Sequence, residues 1–169
     1  MDDRAVVALQ LGRQPRAFRQ VAVRCPFGLP AVTEQAPYDL NGEPFPTMYY
    51  ITCSYLVAAL ARIEAAGGVE RWSREASEDA TLAASLVSAS DEQRRLRRAL
   101  AARGDSDGGA SLDLGIGGAS SPTHLKCLHA HAAYALARPG YLLGEHILAD
   151  VQPPWPALEC CSEAFREPS

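Results

Sequence analysis

The side-chain pattern changes its period once along the chain, and this change limits the fold more than any other feature. Over residues 18–25 the pattern alternates, with Val21, Val23 and Cys25 on one face, as in a strand that is half buried in a sheet. Beyond Cys53 the apolar residues recur every three or four positions, which is typical of amphipathic helices. The pattern predicts an α+β fold, in which a small antiparallel sheet from the N-terminal third packs with about five helices.

Three strands are predicted, over residues 18–25, 30–36 and 44–53. The pair Asn41-Gly42 favours a turn before the third strand, because both residues tolerate positive φ. Cys25 and Cys53 then lie at the ends of two strands, each on an apolar face. Their thiols are neighbours if the two strands pair in a suitable register.

The helices are predicted at residues 2–10, 55–68, 69–103, 122–137 and 142–150. Asp2 or Asp3 can cap the first helix, and Pro122 suits the first turn of the fourth. Residues 104–118 are rich in glycine, serine and aspartate and are expected to form a mobile loop. Residues 151–169 are expected to form an irregular tail that packs back on the molecule. We expect residues 1–169 to form a single domain.

Charge and hydropathy exclude some classes of function. The net charge of −4 argues against general nucleic-acid binding, which needs a basic surface. No segment approaches the roughly 18 apolar residues of a membrane span, and the start of the chain is acidic where a secretory signal is basic. We therefore expect a cytoplasmic protein with an unidentified small-molecule or protein partner. In that compartment its five cysteines are free thiols or metal ligands rather than disulfides.

The densest group of reactive side chains follows the turn GIGG and comprises Cys127, His129 and His131. In a helix over residues 122–137, Cys127 and His131 are four residues apart and share a face, whereas His129 is rotated away. Cysteines from four separate places in the chain can supply thiolates to one zinc ion or iron–sulfur cluster. These are Cys25, Cys53, Cys127 and one of Cys160 or Cys161.

Two other interpretations of the cysteines stay open. The first is that they are buried structural thiols. The second is that Cys127 is a nucleophile near a helix N-terminus and beside Lys126, with a histidine as its base and a phosphate-bearing substrate.

Other candidate ligand-binding residues are less specific. The GIGG turn can cradle a phosphate on its amides or be a plain turn, and we place Gly115, Gly117, Gly118, Lys126 and Arg24 in this weaker phosphate or ligand set. A cluster of arginines near the end of the third helix forms either a phosphate-binding face or a solvated one; it comprises Arg94, Arg95, Arg97, Arg98 and Arg103. Glu64 is expected to be solvated.

Four segments resemble an actinobacterial family catalogued as domain of unknown function 501. They are QLGR at residues 10–13, RCPFGLPAV at 24–32, NGEPFPTMYYITC at 41–53, and GIGG with LKCLHAH at 115–131. Family members place cysteines at Cys25, Cys53 and Cys127 and a histidine at His129. They often end with a tryptophan and a cysteine, matched here by Trp155 and Cys160 or Cys161. The chain departs from the pattern at Ser54, where a proline is usual, and in its glycine-rich turn.

The resemblance carries no assigned activity, and whether the protein is an enzyme stays open. It singles out the same three cysteines and so favours a thiolate-rich metal site, with zinc or an iron–sulfur cluster as the cofactor. Genes of family members tend to lie beside those for enolase, a septum-formation protein and an exopolyphosphatase. The alternative is therefore a non-catalytic interaction or regulatory protein, linked to cell division or polyphosphate metabolism, with structural cysteines and the arginine-rich helix as its contact face.

Overall fold

A computed structural model describes residues 2–101 and 105–161. Its sheet has three antiparallel strands in the order β1-β2-β3: β1 is Phe18–Arg24, β2 is Pro30–Gln35 and β3 is Tyr49–Ile51. The strand predicted over residues 44–53 is therefore much shorter than expected. β2 lies at the centre of the sheet and is buried along most of its length. This arrangement confirms the predicted α+β fold.

Six α-helices follow or flank the sheet in the described residues, where about five were predicted. They are α1 Asp3–Leu11, α2 Ser54–Ala65, α3 Gly68–Glu78, α4 Ala80–Leu100, α5 Leu128–Ala137 and α6 Leu142–Ala149. Asp2 caps α1 through the amide of Ala5, as predicted. The long helix predicted over residues 69–103 is divided at Asp79, whose carboxylate accepts hydrogen bonds from the first amides of α4.

The core lies between the sheet and helices α2 to α6. α5 lies against β3 and α6, and it buries nearly all of its side chains, including Tyr134 and His131. Its position fixes the residues that precede it, because Cys127 is the N-cap of α5. The site residues are therefore attached to the best-buried helix of the molecule.

Two segments outside the regular elements also contact this core. Residues 105–118 contain two 3-10 helices, Ala110–Asp113 and Ile116–Gly118, and Asp107 accepts hydrogen bonds from Tyr38 and from two amides of its own segment. Residues 151–161 contain no helix or strand, but Val151 is buried and Trp155 packs against the core. Arg103, residue 104 of the predicted loop and residues 162–169 of the predicted tail lie outside the described residues.

Candidate thiol site

The structure brings two of the five cysteines into direct contact. The sulfurs of Cys53 and Cys161 are 3.7 Å apart, although 108 positions separate the residues in sequence. Cys53 is buried between the end of β3 and the start of α2, whereas Cys161 belongs to the half-buried end of the described tail. The hydroxyl of Ser54 donates a hydrogen bond to the sulfur of Cys161 at 3.3 Å. This group is called the thiol pair below.

The two sulfurs of the thiol pair differ in acidity. Burial raises the pKa of the Cys161 thiol, but hydrogen bonds from Ser54 and from the amide of Tyr55 outweigh burial, and its pKa lies below the ordinary value. Burial raises the pKa of Cys53 to about 11. Because the first amides of a helix carry partial positive charge, the N-terminus of α2 favours a thiolate on Cys161. The pair thus combines one thiol of lowered pKa with one of raised pKa.

Cys25 lies at the same end of the sheet as Cys53, but β2 separates them. Arg24 pairs with Pro30 on one edge of β2, and the amide of Cys53 contacts the carbonyl of Ala31 on the other. Two strand spacings put their backbones about 10 Å apart. The condition for neighbouring thiols, direct pairing of the two strands, is therefore not met. Cys25 is half-buried and packs against the same core as the thiol pair.

Cys127 does not lie on a helix, contrary to the prediction. α5 begins at Leu128 rather than at residue 122, and Cys127 has an extended backbone with φ −154° and ψ 146°. Its spacing from His131 is therefore not that of two positions on one helix face. Burial raises the pKa of the Cys127 thiol, which is thus neutral at pH 7. This state lacks the thiolate that a nucleophilic cysteine needs.

Both candidate histidines already have hydrogen-bond partners. His129 places one ring nitrogen 3.1 Å from Glu64 and the other 3.1 Å from the carbonyl of Val57. His131 is fully buried with its Nδ1 2.7 Å from the hydroxyl of Tyr141, and burial lowers its pKa to about 3. His129 would have to give up a hydrogen bond to bind a metal, whereas His131 has an unpartnered Nε2 that is buried in the core.

The sequence indicated a solvated Glu64, but its carboxylate forms hydrogen bonds within the molecule. One of its carboxylate oxygens accepts a hydrogen bond from the amide of Leu128 at 2.6 Å and also faces the ring of His129. This carboxylate therefore caps α5 from a different helix. It does so beside a cavity of about 300 Å³ between β3, α2 and α5, whose lining includes Tyr49, Cys127 and His129.

Three residues of the weaker ligand set have structural partners or close packing. Arg24 forms an ion pair with Asp3, and Lys126 is exposed. Gly117 and Gly118 have positive φ and pack closely, since a Cβ at Gly117 would lie 3.2 Å from Ala130. Close packing is thus a sufficient reason for glycine at this position.

The arginines of α4 do not form one open face. Arg97 is fully buried and donates to the carbonyl of Phe45, so its placement in a solvated face is wrong. Its position on α4 turns it towards the core, where Gln93, one turn earlier, is also buried. Arg94 pairs with Asp91, and Arg98 pairs with Asp113. The proposed contact face therefore has three of its four described arginines engaged within the molecule.

Within residues 2–101 and 105–161, no three cysteine, histidine, aspartate or glutamate side chains are gathered in a way that could hold a metal ion. Among the same residues, no helix is both long and apolar enough to cross a membrane.

Together the fold and the site define an α+β domain with a thiol pair where β3 of the sheet meets helix α2. The chain belongs to the family described as "Protein of unknown function (DUF501)", which matches residues 21–149. No curated protein and no solved structure matches the chain. The family match includes Cys25, Cys53, Cys127 and His129, but it ends before Cys161.

Proposed function

We propose that this protein binds a zinc ion through thiolates, with Cys53 and Cys161 as its first two ligands. The observation that carries the proposal is the 3.7 Å separation of their sulfurs. Two thiolates that bind one zinc ion at about 2.3 Å with tetrahedral angles have sulfurs about 3.8 Å apart. The pair already has the spacing of one edge of such a site.

This spacing favours a single metal ion over a 4Fe–4S cluster. In such a cluster each cysteine binds a different iron atom, so the ligand sulfurs lie farther apart than two ligands of one ion. The lowered pKa of Cys161 also supports metal binding, because a cysteine ligand must lose its proton. Binding of zinc would displace the second proton, from Cys53.

Two ligands are not sufficient for tight binding, and the proposal requires others. Cys25 and Cys127 are the preferred candidates, because both are half-buried against the core that the thiol pair also contacts. Their side chains would have to rotate towards the pair. His129 is less suitable, since both of its ring nitrogens have hydrogen-bond partners. His131 is less suitable because its ring is fully buried in the core, although its Nε2 is unpartnered.

The proposed role of the metal is to fasten the tail to the domain. Cys161 belongs to the irregular segment after α6, and Cys53 belongs to the link between β3 and α2. The tail also receives a hydrogen bond from Tyr55 to the carbonyl of Pro153 at 2.8 Å. A shared zinc would add a strong link at the far end of this contact.

Metal analysis of protein purified without oxygen tests the proposal. We expect about one equivalent of zinc and no visible absorption band. Cys53→Ser and Cys161→Ser should lose most of the metal, and Cys160→Ser, the matched control, should keep it. A coloured protein that contains iron and sulfide would show that the metal is an iron–sulfur cluster rather than zinc. A folded protein that contains no metal, both after purification and after zinc addition, would refute the zinc site and the cluster alike.

A further inference from the structure

We infer that Cys53 and Cys161 are also a redox-active pair, which a disulfide such as oxidised glutathione converts into an internal disulfide. The inference uses the same sulfurs as the proposed metal site but does not depend on a bound metal. It follows from two features of the pair: the separation of the sulfurs, and the burial of Cys53 beside a half-buried Cys161.

The separation permits bond formation with a small movement. A disulfide requires its sulfurs about 2.04 Å apart, and those of Cys53 and Cys161 are 3.7 Å apart. Rotation of either side chain, with a shift of the irregular segment that carries Cys161, can close this distance. Cys53 lies in the short, buried link between β3 and α2, so we expect the tail to be the part that moves.

The unequal exposure of the two sulfurs assigns the two cysteines different roles. The attacking sulfur in thiol–disulfide exchange is a thiolate, and Cys161 is half-buried at the N-terminus of α2 beside Ser54. Cys53 is buried, so Cys161 is the sulfur that meets an oxidant first.

The exchange proceeds in two balanced steps. The Cys161 thiolate attacks one sulfur of oxidised glutathione, which forms a mixed disulfide and releases one glutathione thiolate. Cys53 then loses its proton to this base or to water, and its sulfur attacks that of Cys161 and releases the second glutathione. Two protein thiols are oxidised to one disulfide, and one glutathione disulfide is reduced to two thiols.

The disulfide would fasten the tail as the metal does, and the two states exclude each other. A zinc ion needs both thiolates, and the disulfide has no thiolate to offer. The pair would therefore hold the tail in either state, and oxidation would release the metal. In the reduced, metal-free protein, neither a metal nor a disulfide links the two sulfurs, and only the other contacts of the tail hold it to the domain.

The test incubates the full, metal-free chain with oxidised glutathione and locates the products by proteolysis and fragment mass spectrometry. We expect a link between Cys53 and Cys161 and a loss of two hydrogens. Cys25→Ser and Cys160→Ser, the matched controls, should keep this link. Cys53→Ser should accumulate one glutathione on Cys161, whereas Cys161→Ser should leave Cys53 reduced.

A second measurement tests the assigned roles without forming a disulfide. Iodoacetamide should modify Cys161 of the reduced, folded protein more than about tenfold faster than Cys53, because Cys53 is buried and Cys161 is partly exposed. Equal rates, or a Cys53 that stays reduced in the oxidised wild-type protein, would overturn the inference. A link from Cys53 to a different cysteine would overturn it as well. Zinc binding without this disulfide would leave the proposed function intact, and the disulfide without zinc binding would leave the inference intact.

Discussion

The start of α5 depends on Glu64, a residue 64 positions away, and its replacement gives a quantitative prediction. Its carboxylate accepts a hydrogen bond from the amide of Leu128 at 2.6 Å and lies 3.1 Å from Nδ1 of His129. Loss of a capping acceptor costs about 1 kcal/mol of unfolding free energy, and loss of a charge-assisted hydrogen bond of a partly exposed pair costs about 1 kcal/mol more. Glu64→Ala should therefore lower the unfolding free energy by about 2 kcal/mol.

Thermal and urea unfolding at pH 7 measure this effect. A loss of about 2 kcal/mol corresponds to a decrease in Tm of about 4 to 8 °C for a chain of this size. Glu75→Ala is the control, since Glu75 is an exposed glutamate in the next helix, and it should change the free energy by less than about 0.5 kcal/mol. A double-mutant cycle with His129→Ala isolates the pair. Equal effects of Glu64→Ala and Glu75→Ala would refute the capping role.

Three further predictions concern buried groups. In the folded protein the pKa of His131 is about 3, below its ordinary value of 6.5. Its contribution to stability is therefore complete above pH 6.5 and decreases as the pH falls below that value. His131→Leu should flatten the dependence of stability on pH between pH 6.5 and 4.5, and an unchanged slope would contradict the neutral, buried state of His131. Gly144→Ala would bring a Cβ within 2.7 Å of Ala135 and should lower the unfolding free energy by about 1 to 3 kcal/mol, whereas an unchanged Tm would contradict the packing of α5 on α6. Arg97 has two buried, unpartnered nitrogens. Because a buried charge without partners is costly, Arg97→Met should leave the urea midpoint unchanged or raise it. A large decrease would show that the guanidinium stabilises the fold.

Local periodicity was sufficient to predict the parts of the fold that depend on neighbours in sequence. β1 and β2 lie within the strands predicted over residues 18–25 and 30–36, and α1 ends at Gly12 in the left-handed conformation, as expected for a helix stop. The position of Cys25 and Cys53 at one end of the sheet also followed from the strand pattern. Their separation did not, because strand order depends on contacts that periodicity does not encode.

The predicted start of α5, at residue 122, was wrong, because hydrogen-bond partners from other parts of the fold determine where this helix begins. Ser121 and Pro122 resemble a helix N-terminus, but the amides of Leu125 and Leu128 bind instead to Ser73 and to Glu64. Both partners come from other helices, so no nearby residue indicates them. The same limit applies to the thiol pair, since its two members are 108 positions apart in the sequence.

The most direct test of the proposed metal site counts the sulfur atoms around bound zinc by X-ray absorption spectroscopy. We predict a sulfur shell at about 2.3 Å that loses one sulfur in Cys161→Ser and is unchanged in Cys160→Ser. A shell of nitrogen and oxygen only, or the same sulfur count in both variants, would contradict zinc binding by the thiol pair.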